Sequence, residues 1–173
     1  GDRRHAGFRF QNVGVAQGST LNRAVLQVYL PSGTTSYVYA DVYGDDSASP
    51  ANFATTPDIN GANNPALRTL TTASEPLSIG AWGAGWRYVD VTSVVQEIVS
   101  RPDWANGNPL ALLMVGRSES KFGDTAYIED YSAAGTNHAR LSIDFDNAAL
   151  LGTHAWGQVV DQFDAKVVES DQD

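Results

Sequence analysis

Apolar and polar residues alternate along most of this chain, and a period of two marks strands with one face buried. Phe8 and Phe10 fall on one side, Gly7 and Arg9 on the other. In residues 21–30, Ala24, Leu26, Val28 and Leu30 share a side opposite Val25, Gln27 and Tyr29. Residues 37–43 place Val38, Ala40 and Val42 inward, with Tyr37, Tyr39 and Tyr43 on the outer sheet surface or under a loop. Alternation is weak through 67–79. It is clearer where Trp86, Tyr88 and Asp90 oppose Arg87, Val89 and Val91, and it resumes in 126–131 and 140–145, with Leu141, Ile143 and Phe145 inward. Residues 110–115 are apolar throughout and read as a strand buried on both faces. Turns separate these runs at 12–20 (Gly14, Gly18), at Pro31-Ser32-Gly33, at Gly80, Gly83 and Gly85, and at 103–108.

One stretch changes period. Val94, Val95, Ile98 and Val99 form a helical stripe, Thr92 or Ser93 is placed to cap it, and Gln96 stands at the capping-box spacing from Ser93. Pro102, after Arg101, stops the helix. The helix expected near residues 92–100 is too short to be stable alone, so it must pack on the sheets or cap the barrel end. About eight strands and one short helix predict an all-β fold, a two-sheet antiparallel jelly-roll sandwich. An α/β fold is excluded because strands and helices do not alternate.

Residues 1–146 form the predicted jelly-roll domain and 147–173 an acidic C-terminal extension. The extension carries Asp161, Asp164, Glu169, Asp171 and Asp173 against one lysine, yet it also holds Trp156, Val159, Val160, Phe163 and Val167. Those apolar positions suit packing on a body, with strands expected at 158–163 and 165–168. They are the candidate assembly residues.

Composition narrows the function. The 173 residues, 42% hydrophobic, suit one domain with a real core. Eleven Lys and Arg against 20 Asp and Glu give a net charge of −9, which removes nucleic acid and anionic membrane surfaces as electrostatic partners. No cysteine is present, so disulfides, thiolate zinc sites and Cys nucleophiles are excluded. The longest apolar run, 110–115, is far shorter than the roughly 20 residues a spanning helix needs, and no membrane insertion is expected. A chain opening on Gly1 reads as processed or as a fragment of a longer protein.

Candidate chemistry is sparse. His5, His138 and His154 have no metal-ligand spacing and read as surface or turn residues. No nucleophile elbow, Walker loop or dinucleotide fingerprint occurs, and the glycine-rich 80–85 stretch lacks the lysine and helix of a phosphate site. Asp45, Asp46, Asp58 and Asn60 lie in the long 44–65 connection and are candidate oxygen ligands for calcium, although their spacing matches no EF-hand. No other cofactor is indicated. Glu129 and Asp130, adjacent on an expected strand, point to opposite faces and cannot act together as a glycosidase pair. The chain is therefore expected not to be an enzyme.

Aromatic residues offer the one binding-type feature. Tyr37, Tyr39, Tyr43, Trp82, Trp86, Trp104, Tyr127 and Tyr131 are candidates for stacking on sugar rings. Trp86 and Trp104 flank turns and read as structural. Tyr127 and Tyr131 share a strand face with Glu129, which makes Tyr127, Glu129 and Tyr131 the candidate ligand-binding set.

Two stretches carry a family resemblance. Residues 9–21 (R-F-Q-N-V-G-V-A-Q-G-S-T-L) resemble an R-F-x-N-V-x-I-P-Q-G-A-T-I pattern. Residues 90–108 (D-V-T-S-V-V-Q-E-I-V-S-R-P-D-W-A-N-G-N) resemble a pattern ending V-V-Q-E-I-V-x-R-P-x-W-x-x-G-N. Together they resemble jelly-roll modules of large secreted bacterial surface proteins and of some phage virion proteins, over roughly residues 7–145. The resemblance implies a non-enzymatic structural or decoration-type subunit of an extracellular, cell-surface or virion assembly. The alternative is a carbohydrate-binding adhesion module, with glycans as partners. It implies no catalytic residue, and it casts Gln96, Glu97, Arg101 and Trp104 as a structural cassette of helix, stop and turn. In that family a strand usually precedes the R-F-x-N-V segment, and here only residues 1–6 remain ahead of the matched stretch. The edge so exposed must be covered, and residues 156–168 are expected to fill it, within the chain or by donation to a neighbouring subunit. Self-association or other surface proteins are the corresponding partners.

Overall fold

The alternating runs become two antiparallel sheets because each buries its apolar side against the other. The structure is a computed structural model. It describes residues 4–33, 37–53, 67–80, 83–119, 126–129 and 137–146, and for 154–169 the backbone strand and its pairing. In chain order the elements are β1 (Arg4–Phe10), β2 (Thr20–Leu30), β3 (Val38–Asp45), β4 (Leu70–Ile79), β5 (Gly85–Asp90), α1 (Thr92–Val99), β6 (Leu110–Gly116), β7 (Arg140–Asp146) and β8 (His154–Glu169).

The lateral order is β4-β3-β6-β1-β8-β7-β2-β5. The first sheet comprises β4, β3, β6 and β1, and the second β7, β2 and β5. β8 belongs to both: its first half pairs with β7 and its second half with β1. Pairing is nested, β1 with β8, β2 with β7 and β3 with β6, as in a long hairpin wrapped on itself, which is the plan of a jelly roll.

Between the sheets, β1 supplies Phe8 and Phe10, β2 Leu26 and Leu30, β6 Leu110 and Leu112, and β7 Leu141 and Ile143, all fully buried. Each such side chain contributes roughly 1.5–3 kcal/mol relative to exposure. β6 is buried on both sides, as its unbroken apolar run predicts. Leu110, Leu112 and Met114 face the core, while Ala111 and Leu113 meet Phe53 on the outside.

The helix closes one end of the sandwich with Val94, Val95, Ile98 and Val99 buried. Its start differs from expectation. Val91 is the N-cap and no side chain caps it. Asp90 Oδ1 accepts instead from the Thr92 N–H (3.0 Å) and hydroxyl (2.6 Å). Gln96, freed from a capping box, accepts from Leu21 N–H (2.8 Å) and donates to the Ser19 carbonyl (3.0 Å), beside the register shift between Leu21 and Arg23. Glu97 accepts from Thr72 and Ala73 N–H (2.8 and 2.7 Å) where β4 bulges opposite Gly44. Adjacent helix residues thus pin one irregular strand in each sheet, satisfying backbone donors that the ladder leaves over.

The turn after the helix locks onto the loop after β1. Trp104 is buried and its Nε1 donates to the Val15 carbonyl (2.9 Å). Gly107, at φ 90°, donates to Val13 O (2.9 Å), a backbone that glycine adopts without strain.

Three expectations are corrected. Residues 126–129 do not form a strand, although they run beside β2 through Glu129 N–H to Tyr29 O (2.9 Å). The two tail strands are one strand of 16 residues, whose change of partner midway leaves no turn signal. His5 is no surface residue: it is buried in β1, where its Nδ1 accepts from Gly116 N–H (3.2 Å).

Candidate functional site

Sheet geometry places the sequence candidates. The carboxylates of Asp45 and Asp46 both meet arginines. Asp45 pairs with Arg68 (2.7 Å), and the two side chains are only 9% and 5% exposed. Asp46 pairs with Arg101, which also holds Asp103. The Arg101 hydrogen bonds keep the Asp103 carboxyl below its ordinary range. Asp58 and Asn60 lie outside the described residues. Among those described, no group of three or more His, Asp or Glu is arranged to hold a metal.

Arg68 does more than neutralise Asp45. It donates to the carbonyls of Ala51 (2.9 Å) and Asn52 (3.3 Å), and its guanidinium lies 4.2 Å from the Phe53 ring centroid. Arg9 reaches the same loop through Pro50 O (3.0 Å). Residues 47–53 are thereby fastened across the outer face of the first sheet. Phe53 settles over Gly7, where a Cβ would overlap its ring, and packs with Ala111, Leu113, Leu70 and Val115.

The second sheet has a different outer face. Directly opposed residues of an antiparallel pair share a face, so three rows follow from the register. Tyr29 stands opposite Trp86; Gln27 stands opposite Tyr88 on one side and Arg140 on the other; Val25 stands opposite Asp90 and Ser142. Tyr29 and Trp86 meet edge to face, centroids 5.4 Å apart. The Arg140 guanidinium lies 5.0 Å from the Trp86 centroid. Gln27 Nε2 donates to Ser142 Oγ (2.8 Å). Tyr88 is 65% exposed, the most open of the large apolar residues described. Asp90 sits at the rim with its carboxyl held below the ordinary range, chiefly by the Thr92 hydroxyl, then by the Thr92 N–H, with Arg23 adding 4.0 Å away.

Residues 126–129 join this face at the Tyr29 row. Ala126 and Ile128 pack against the core and Tyr127 is 60% exposed. Glu129 of the expected set is bonded to the Tyr29 carbonyl and Tyr127 is exposed two residues before it, while Tyr131 is outside the described residues, as is Trp82. Trp104 is structural. Trp86, which flanks a glycine turn in sequence, stands on a strand of the aromatic face. Tyr37 stacks on Tyr39 (6.2 Å) at the start of β3 in the other sheet, its ring against Gly80, and Tyr43 is half-buried toward the end of that strand. The candidate assembly residues Trp156, Val159, Val160, Phe163 and Val167 all lie in β8, with Val159 opposite Ser142, Val160 opposite Leu141 and Val167 opposite Ala6.

Sequence reasoning missed Tyr29, Gln27, Tyr88 and Arg140 as site residues. The available signal was an aromatic on the polar side of each of two strands. Only the register shows that they are neighbours. Against known proteins, the chain matches no family model and no curated sequence.

Proposed function

We propose that this protein is a non-enzymatic carbohydrate-binding adhesion module of an extracellular, cell or virion surface. One observation carries the reading: the outer face of the second sheet presents Tyr29, Trp86 and Tyr88 beside Gln27, Ser142 and Arg140, with no described segment laid across it. Aromatic rings flanked by amide and hydroxyl groups suit a sugar, which offers C–H faces for stacking and hydroxyls for hydrogen bonds. Retention on immobilised polysaccharide tests it. The intact chain is expected to be retained and Tyr88→Ala to elute early; equal retention of both would overturn the assignment of this face.

A structural or decoration-type subunit is the second reading, favoured by β8. A strand that pairs with both sheets, as β8 does with β1 and β7, can be supplied by a neighbouring copy with the same pairings. Light scattering behind a sizing column separates the two. A multiple of the chain mass supports assembly, and a monomer supports adhesion.

A further inference from the structure

The charge on the aromatic face narrows the class of sugar. Its described carboxylates are Asp90, Asp144, Asp146 and, in the neighbouring segment, Glu129; its guanidiniums are Arg23 and Arg140. Arg23 lies against Asp90, and Arg140 lies over Trp86. The chain as a whole carries −9. A polyanion approaching this face meets net repulsion and cations already engaged.

The hydrogen-bonding groups between its aromatic residues are neutral. The Gln27–Ser142 bond uses an amide N–H and a hydroxyl lone pair, so the Gln27 Oε1 acceptor and the Ser142 proton are not spent in it. Trp86 has Arg140 over its ring and Tyr29 packed against it edge to face, whereas Tyr88, two residues on, is open. The two β5 rings are spaced about 6.6 Å along the strand, so they address adjacent parts of one ligand.

We infer that the ligand is an uncharged glycan chain lying across β5 and β2, with Tyr88 as its stacking platform, Gln27 and Ser142 as its hydrogen-bonding pair, and Trp86 positioning the row. This rests on the carbohydrate reading above.

Calorimetric titration of the intact chain with neutral oligosaccharides (gluco-, manno- and xylo-series) and an acidic one (oligogalacturonate), at low and high salt, tests it. Expected is binding of a neutral series that is insensitive to salt. Tyr88→Ala should weaken it about tenfold, which is about 1.4 kcal/mol, while Tyr88→Phe and Tyr37→Ala, beside β3 of the other sheet, retain it. Preference for the acidic oligosaccharide, fading with salt but still dependent on Tyr88, would overturn the neutral assignment and leave the carbohydrate reading standing. Failure of every oligosaccharide to bind at millimolar concentration would overturn both.

Discussion

The two sheets share one core and treat their outer faces in opposite ways. On the first sheet that face is apolar around Gly7, Ala111 and Leu113, and the chain covers it with its own loop, fixed by Arg68 and plugged by Phe53. On the second it is aromatic and polar, and no described segment crosses it. Burying a hydrophobic strip within the chain stabilises a fold, whereas leaving Tyr88 in water gains nothing for folding. The covered face serves stability, and the face that no described segment crosses is the one assigned above to ligand contact.

Mutations break this comparison in a definite order. Arg68→Ala has the largest expected effect, about 3–4 kcal/mol lost in urea unfolding, because it strands a buried Asp45 carboxylate and releases the loop. The freed strip on the first sheet should also bind a hydrophobic dye. Next comes Gly7→Ala, which drives the Phe53 ring from its seat at a cost of about 1–2 kcal/mol. In a Phe53→Ala background the same change should cost almost nothing, so a double-mutant cycle reads the contact directly.

On the bare face, Tyr88→Ala should leave stability within about 0.5 kcal/mol of the parent, since an exposed side chain has little packing to lose. A drop well beyond that would mean the tyrosine is structural and the contrast between faces is false. The smallest effect concerns Asp90. Its folded pKa lies below the unfolded one, so its contribution is present above the ordinary aspartate range and disappears as pH falls through the lowered value. Exposure holds it to a few tenths of a kcal/mol, and Asp90→Asn should flatten only that acid limb of the stability–pH curve.

Local pattern made much of the fold legible. Alternation gave the inward residues of β2, β3 and β7, the four-residue stripe gave α1, and an unbroken apolar run gave the double burial of β6. Capping failed because Asp90, outside the helix, took the Thr92 donors and Gln96 served another strand. The candidate site was less legible. Tyr127 and Glu129 were singled out on a strand that does not form, and they reach the aromatic face through a bond to Tyr29. Its glycine neighbours mark Trp86 as structural, and only the register places it beside Tyr29 and Arg140.

The sequence by itself determined what period and composition can reveal: strands, one helix, a core between two sheets, and a net charge of −9. Tertiary structure alone decided which outer face is covered, where β8 changes partners, and which aromatics stand side by side. Periodicity acts between residues two to four apart. The Arg9–Pro50 bond spans 41 positions and the Trp104–Val15 bond 89, and such contacts exist only once strand register has been fixed by the packing of the whole core.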